Sequence, residues 1–437
     1  MKHMQHWRRW LLVGALAVSC LPGTARAESE VDILINRLVE KGILSNVEAG
    51  LIRREISETK EERNKVIAKE IVPDPARNWK WSGDIRLRDE TRNRQGTGND
   101  SHRTRIRFRY GTEAKVNDQL KVKFRIATGD STDPISTNQS FNNNFLKKAI
   151  FLDLANAQYD PVLPMPNTKV SLIGGIMENP MWTVTPMVWD GDLSWDGFAV
   201  KAEQTLSEAA KLFTNNGVFL LDSDESEPSS LWVTQGGLVL TPFTSSPDEV
   251  LKNLKLTTSI AYHDYMNTFT SAANKPGTDP LIREGDNITC CEFNQLNPSV
   301  ELASSIGGVP FAFFGDFVKN LGADVAGDGD NRGFAFGVKV GKATTPWSLT
   351  KGWEAGYMFE RLESDAVYDE FADSDFGGGG TNRRGNVAWI TLATLKNSTL
   401  GAKFFFRQNL ITNAGSGATL AQAFREDRIQ LDWVTKF

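Results

Sequence analysis

Residues 102–126 read HRTRIRFRYGTEAKVNDQLKVKFRI. Basic and apolar side chains alternate in two segments of this stretch, 103–109 and 121–126, and a short polar turn at 117–119 lies between them. An alternation of period two is typical of a β-strand with one polar and one apolar face. The stretch therefore predicts a β-hairpin that carries Arg and Lys on one face and Ile, Val and Phe on the other.

The same pattern extends through most of the chain. After Pro75, short alternating segments are separated by clusters of Gly, Asn, Asp, Pro and Ser, which mark turns. In 334–341, for example, Phe and Val alternate with Ala, Gly and Lys, whereas in 400–407 one Phe, Phe405, falls on the polar face. We expect about sixteen strands, at residues 79–92, 102–116, 120–129, 147–159, 167–178, 193–206, 209–222, 231–241, 254–267, 293–305, 309–320, 332–343, 352–363, 385–396, 398–410 and 426–437.

Short and long connections alternate between these strands. The short ones include 117–119, 206–208, 306–308 and 397, and the long ones 131–146, 268–292, 363–384 and 411–425. Two connections of the short series, 161–166 and 242–253, are longer than the rest. Outer-membrane barrels have short periplasmic turns and long outer loops, whereas a soluble β-sandwich has no reason to sort its loops. We therefore predict an all-β membrane protein, a closed antiparallel transmembrane β-barrel at residues 76–437.

The composition is compatible with a barrel. Mean hydropathy is −0.33, and no apolar stretch after residue 27 reaches the roughly 20 residues that a transmembrane helix needs. A barrel has a low mean hydropathy because half of its strand residues face a watery lumen and are polar. A soluble secreted β-protein has the same average composition, so this alternative stays open.

Residues 1–27 have the features of an export signal. Arg8 and Arg9 precede the apolar run Leu11–Leu21, and Ala25-Arg26-Ala27 is a small-residue cleavage site, so the mature chain is expected to begin at Glu28. Removal of this segment takes away four basic residues and no acidic one, which leaves 45 basic against 54 acidic residues, net −9. This charge argues against nucleic acid as a partner.

Residues 28–75 predict helices. An apolar stripe from Val31 to Val39 has helical spacing, Gly42 is a suitable stop, and Ser45 with Glu48 forms a capping box for a second helix. Two interpretations stay open: a short periplasmic helical hairpin, or a coiled coil that gathers several barrels into an oligomer.

The last strand, Ile429 to Phe437, has a terminal Phe preceded by apolar residues at alternate positions. It resembles the signal that the outer-membrane barrel assembly machinery reads, carried here by Ile429, Leu431, Trp433 and Phe437, although Thr435 departs from that pattern. The assembly machinery is therefore an expected partner.

Three parts of the chain have characteristic sequences: the helical opening Leu34–Glu55, 129–139 with Lys147-Lys148, and 175–180 leading to 188–190 and 196–197. Their resemblance to the putative porin family of Gram-negative bacteria covers nearly all of the mature chain. It implies a porin in the bacterial outer membrane, in contact with lipid and lipopolysaccharide, that passes small solutes or ions by passive diffusion and has no cofactor. The opening is also similar to that of phosphate-selective porins, which implies a homotrimer.

The first three strands predict a wall of nine basic side chains inside the barrel. Arg or Lys facing lipid at mid-depth costs about 2–4 kcal/mol, so the basic face is expected to point inward. Two interpretations stay open: an anion-attracting track, or arginines that pair with lumenal acids and stiffen the barrel. This basic wall consists of Arg86, Arg88, Arg103, Arg105, Arg107, Arg109, Lys121, Lys123 and Arg125.

The connection 179–192 is unusually apolar for an exposed loop, with Met181, Trp182, Met187 and Trp189. We expect it to fold into the lumen and narrow it, as the third loop does in general porins. The alternative is packing against neighbouring loops or another subunit.

Other candidate sites are weaker. Acidic clusters at 222–227, 324–330 and 365–375 suit Ca²⁺, but solvated loops explain them more simply. Cys290 and Cys291 are adjacent in a long loop, so a vicinal or interchain disulfide is conceivable, and neither a metal site nor a catalytic site is expected.

Two alternative functions are kept. One is a barrel that sheathes a partner such as a multihaem cytochrome. The other is an outer-membrane hydrolase built on His263 and Asp264, although neighbours on one strand point to opposite faces.

Overall fold

The computed structural model describes residues 30–55, 78–95, 100–142, 144–223, 228–267, 293–322, 330–348, 351–410 and 425–437. The chain divides into two units, Met1–Arg77 and Asn78–Phe437. The predicted export signal, Cys290 and Cys291 lie outside the described residues.

In the first unit, the described residues 30–55 form two helices, α1 (Glu30–Glu40) and α2 (46–55). The predicted capping box is present, since Ser45 N donates to Glu48 Oε2 at 2.8 Å and Glu48 N donates to Ser45 Oγ at 3.2 Å. Helix α1 has 11 residues, fewer than the three or four heptads of a coiled coil, so the described residues give the coiled-coil interpretation no support. In the described part of the chain, no helix has both the length and the apolar character needed to cross a membrane.

The second unit is one antiparallel sheet closed on itself. With the exception of one two-residue strand, each strand pairs with the strands before and after it along the chain, and the last strand pairs with the first. The strands are β1 (Trp79–Gln95), β2 (Ser101–Lys115), β3 (Leu120–Thr128), β4 (Gln139–Ser140), β5 (Ile150–Tyr159), β6 (Thr168–Glu178), β7 (Ser194–Ser207), β8 (Ala210–Asp222), β9 (Ser229–Leu240), β10 (Lys255–Met266), β11 (Asn294–Ile306), β12 (Val309–Asn320), β13 (Arg332–Gly341), β14 (Trp353–Leu362), β15 (Arg383–Leu395), β16 (Ser398–Asn409) and β17 (Arg425–Lys436). A four-residue helix, α3 (Glu249–Lys252), precedes β10.

Sixteen of these strands form the ring, as the sequence predicted, and each begins and ends within three residues of its predicted bounds. The additional strand β4 has two residues and pairs with β2 at Arg105 and Ile106, beyond the point where β3 ends. An antiparallel ring closes only with an even number of strands, because the first and last must run in opposite directions.

The C-terminal Phe437 completes the seam between β1 and β17. Gly83 N donates to Phe437 O at 2.9 Å, and Phe437 N donates to Gly83 O at 3.0 Å. The phenyl ring lies against Gly83 and 6.2 Å from the ring of Tyr110. Trp81 also stacks on Tyr110, at 5.4 Å, which places an aromatic cluster near one rim of the barrel, as expected at a membrane interface.

Large apolar side chains cover the outside of the barrel. Phe198 is 71% exposed and Phe313 is 55% exposed, and similar residues recur on strands around the ring. A soluble protein rarely exposes apolar surface on this scale, whereas a barrel in lipid requires it. Further exposed members of this belt include Phe124, Leu172, Trp232, Ile260, Phe336, Tyr357, Ile390, Leu400, Leu431 and Trp433.

Glycines on the inner face make room for flat aromatic rings on neighbouring strands. A Cβ added to Gly356 would lie 2.1 Å from Cζ2 of Trp389, and one added to Gly337 would lie 2.5 Å from Cζ of Phe314. Both rings therefore lie along the wall rather than across the lumen.

We expect Gly356→Ala to destabilise the barrel by about 1–3 kcal/mol, the usual cost of overpacking. Urea unfolding of the protein in lipid vesicles, followed by tryptophan fluorescence, measures this. Gly236→Ala is the matched control, because a Cβ there would have nothing within 4 Å. Equal stability of the two variants would contradict the prediction.

Candidate functional site: the lumen and its loops

The strand register places the nine predicted basic residues on one face. Arg86 is paired with Arg107 and Arg88 with Arg105 across β1 and β2, and Arg103 and Arg109 share the face of Arg105 and Arg107. Gly111, Glu113 and Lys115 of β2 pair with Arg125, Lys123 and Lys121 of β3, which continues the same face. Arg86, Arg107 and Arg109 line a lumenal cavity, so this face points inward.

Most of these cations have acidic partners inside the barrel. Arg88 bridges Asp432 on β17 and Asp375, with nitrogen–oxygen distances of 2.7 and 2.6 Å. The other pairs join Arg103 to Glu90 at 2.7 Å, Arg107 and Arg109 to Asp84 at 2.8 and 2.7 Å, Lys121 to Asp160 at 3.0 Å, Lys123 to Glu178 at 2.7 Å, and Arg125 to Asp153 and Glu178.

Arg86 and Arg105 differ from the other seven. Among the described residues, neither guanidinium has a carboxylate oxygen within 4.0 Å. Arg86 Nη2 donates to Asn138 Oδ1 at 2.6 Å, and Arg105 Nη2 donates to Ser136 Oγ at 3.1 Å. The wall therefore combines arginines fixed by ion pairs with two whose positive charge is not neutralised by contact.

Three connections fold into the lumen, and we call them lumenal loops 1 (129–149), 2 (179–193) and 3 (363–382). In loop 2, Met187 is fully buried, and Trp189 lies 4.4 Å from Trp195 and 5.2 Å from His263. Met181 is also buried, whereas Trp182 is half-buried beside Phe213, with its backbone N–H donating to Gln235 Oε1 at 2.9 Å. Loop 2 thus packs against inner faces of β7, β8, β9 and β10.

Lumenal loop 3 was interpreted from its acids as a solvated loop, and that interpretation is wrong. Asp365, Asp369 and Asp373 are buried, and the loop packs on loop 2 through Phe371, whose ring stacks 6.0 Å from that of Trp189 and whose carbonyl accepts from Asp190 N at 2.7 Å. The signal was present in the sequence, because Ala, Val, Tyr and Phe are interleaved with these acids as densely as the apolar residues of loop 2.

A buried ion pair holds loop 3. Arg383 and Glu360 have no exposed side-chain surface, and Arg383 Nε donates to Glu360 Oε1 at 2.9 Å. Nη1 of the same arginine donates to the carbonyls of Asp373 and Phe376 at 3.0 and 3.1 Å. Arg383 therefore joins loop 3 to strands β14 and β15.

The three loops are also bonded to one another. Thr137 Oγ1 of loop 1 donates to Asp192 of loop 2 at 3.0 Å. Ser374 of loop 3 donates through its N–H to Asp190 Oδ2 at 2.7 Å and through Oγ to Ile135 O at 3.0 Å. Burial, reinforced by the nearby carboxylates of Asp373 and Asp192, raises the pKa of Asp190 well above its ordinary value.

A cavity of about 510 Å³ remains beside these loops. Loops 2 and 3 contribute Asp190, Asp192, Ser374 and Asp375 to its lining, and strands β12 to β16 contribute aromatic, apolar and charged groups. The strand residues that line it include Arg86, Arg107, Arg109, Phe314, Lys339, Glu354, Met358, Val387, Trp389, Thr391, Lys403 and Phe405. Phe405, which broke the predicted alternation, faces inward as expected.

His263 and Asp264 do not form a site together. His263 is buried beneath Trp189 on the face of β10 that also carries Ala261 and Tyr265, whereas Asp264 lies on the opposite face. In the ranges described above, no group of three or more His, Cys, Asp or Glu side chains could hold a metal ion.

A closed ring of sixteen antiparallel strands, an apolar outer belt and inward-folded loops define the class of outer-membrane β-barrels. The family described as "Putative porin" matches residues 92–301 and 290–437, so the chain belongs to the putative porin family.

A solved structure has a similar fold. The high-pH structure of Pseudomonas putida OprB has a TM-score of 0.51 and 10% sequence identity, covering 82% of this chain and 94% of that chain. The low-pH structure of the same protein has a TM-score of 0.45 and 9% identity, over 82% of this chain and 93% of that chain. No curated protein sequence gives a significant match.

We expect Arg383→Gln to release lumenal loop 3. Loss of the guanidinium leaves Glu360 buried without its charge partner, which typically costs about 3–5 kcal/mol. Limited chymotrypsin digestion of the folded protein, with cleavage sites mapped by mass spectrometry, should show cutting at Tyr368, Phe371 or Phe376. Arg384→Gln, on the opposite face of β15, is the control and should remain uncut, and an uncut Arg383→Gln protein would refute this role.

The packing of loop 2 on loop 3 should weaken as pH rises. The packed state raises the pKa of Asp190. The stability that this carboxyl contributes to the packing is therefore fully present below its ordinary pKa of about 3.9, and it is lost as pH approaches and passes the raised value. Hydrogen–deuterium exchange of residues 186–192, corrected for the intrinsic rate at each pH, measures this. Asp190→Asn should remove the pH dependence, and the same slope in both proteins would contradict it.

Proposed function

We propose that the protein is a diffusion porin that passes small hydrophilic solutes through the lumen with a preference for anions. The observation that carries the proposal is the basic wall, in which Arg86 and Arg105 keep a charge that no described carboxylate contacts. A cationic lumen wall bounded by low-dielectric strands raises the local concentration of anions. Membership of the putative porin family supports the channel itself.

The alternatives fit the lumen less well. A barrel that sheathes a cytochrome needs interior space, but Met187, Trp189, Tyr368 and Phe376 of lumenal loops 2 and 3 occupy it as a packed apolar cluster. A hydrolase built on His263 and Asp264 needs both side chains in one site, and they lie on opposite faces of β10.

Lumenal loop 2 acts in this proposal as the constriction, with loop 3 as its support. The lumenal cavity then lies on the solute path, next to the narrowest part of the lumen. In the same proposal, the N-terminal unit is periplasmic and the long connections face outward. The barrel assembles as a trimer. The assembly machinery reads the last strand through Ile429, Leu431, Trp433 and Phe437.

Planar-bilayer recordings of the purified, refolded protein test the proposal. We expect discrete conductance steps, and a zero-current potential in a KCl gradient that corresponds to preference for Cl⁻ over K⁺. The double variant Arg86→Gln/Arg105→Gln should lower the anion-to-cation permeability ratio several-fold, because two uncompensated charges are removed. Arg384→Gln, outside the lumen, is the control.

Two results would overturn this proposal at different levels. Absence of conductance from correctly folded protein would refute the porin function. Clear cation preference, or an unchanged ratio in the double variant, would refute the role of the basic wall while leaving the channel intact.

A further inference from the structure

The lumenal cavity has a polar and an apolar side. Of the ten charged side chains that line it, five are already paired: Asp192 lies 3.4 Å from Arg107 and 3.7 Å from Arg109, Asp375 binds Arg88, and Lys339 binds Glu301 at 2.7 Å. These paired side chains are part of the wall, and each would have to give up its partner in order to bind a ligand.

Two cations that line the cavity are different. Among the described residues, neither Arg86 nor Lys403 has a carboxylate oxygen within 4.0 Å. Nη2 of Arg86 is held by Asn138, and Nη1 has no hydrogen-bond partner in the described part of the chain. A donor on the cavity wall without a protein partner is suited to receive an acceptor from a ligand.

One part of the lining is apolar and rigid. Trp389 lies flat along the wall because Gly356 has no Cβ, and its Nε1 donates to Glu354 Oε1 at 3.1 Å, which fixes the ring. Phe405 is buried against Phe376 of lumenal loop 3 at 6.3 Å. Fixed aromatic walls with a few convergent polar groups are the usual composition of a small-molecule site.

We infer that this cavity is a binding site for organic monocarboxylates, with the carboxylate on Arg86 and Lys403 and the carbon skeleton on Trp389 and Phe405. Guanidinium and ammonium groups recognise carboxylates through charge-assisted hydrogen bonds, and an aromatic wall favours a ligand with an apolar body over a small inorganic anion. Burial and the neighbouring Asp375 carboxylate raise the pKa of Asp373, which reduces the negative charge that a bound anion meets.

This inference deepens the proposed function, because the site lies on the proposed solute path. Binding is nevertheless measurable without conduction, so the two can fail separately. Isothermal titration calorimetry of the full-length protein in detergent, at constant ionic strength, gives the affinities of benzoate, cyclohexanecarboxylate and acetate, with chloride as a competitor.

We expect benzoate and cyclohexanecarboxylate to bind at least 10-fold more tightly than acetate, and chloride to compete weakly. Arg86→Gln and Lys403→Gln should each weaken benzoate binding about 10-fold or more, the effect of one charge-assisted hydrogen bond. Trp389→Ala should weaken benzoate binding and leave acetate binding unchanged. Lys121→Gln, a wall residue outside the cavity lining, is the control and should bind benzoate like the parent protein.

Equal affinities for benzoate, acetate and chloride would overturn the inference, as would benzoate binding that is absent or insensitive to both Arg86→Gln and Lys403→Gln. If Arg86→Gln does not fold, Lys403→Gln and the benzoate-to-acetate ratio of the parent protein still decide. Benzoate binding without conductance would refute the proposed function alone, whereas conductance without benzoate binding would refute the site alone.

Discussion

Hydrogen bonding of the backbone inside lipid is the constraint on which the rest of the structure depends. A bilayer offers no water to satisfy an N–H or C=O group, so a sheet that spans it has no open edge. Strand β17 meets this requirement by pairing with β1 along its length, from Asp84 and Lys436 to Gln95 and Arg425. Closure separates an inside from an outside, and it allows one chain to be apolar toward lipid and charged within.

The interior is polar in a particular way. Arg88, Arg383, Arg407 and Arg428 are among the largest fully buried side chains, although arginine is rarely buried unless paired. Carboxylates from other strands and from lumenal loop 3 compensate Arg88 and Arg383, as Asp432 does for Arg88 at 2.7 Å. Glu426 of the same strand compensates Arg428 at 2.7 Å. A basic wall and a net negative chain are therefore compatible, because the acids lie opposite and between the arginines.

Much of the fold could be predicted from the sequence because a period of two leaves a local trace. The strands and the common face of the nine basic residues follow from neighbouring letters, and the apolar residues of loop 2 indicated an inward loop. Partners that meet at the seam between β1 and β17 leave no such trace, because Arg88 and Asp432 are 344 residues apart in the sequence. The acids of lumenal loop 3 masked its apolar residues, and the two-residue strand β4 is too short to have a pattern.

Arg88 joins three parts of the chain at one point: it belongs to the first strand and binds Asp432 on the last strand and Asp375 in lumenal loop 3. One guanidinium therefore takes part both in the seam between β1 and β17 and in the packing of lumenal loop 3. Neither contact set can be complete until both chain ends have met, so ring closure and interior packing are expected to be cooperative.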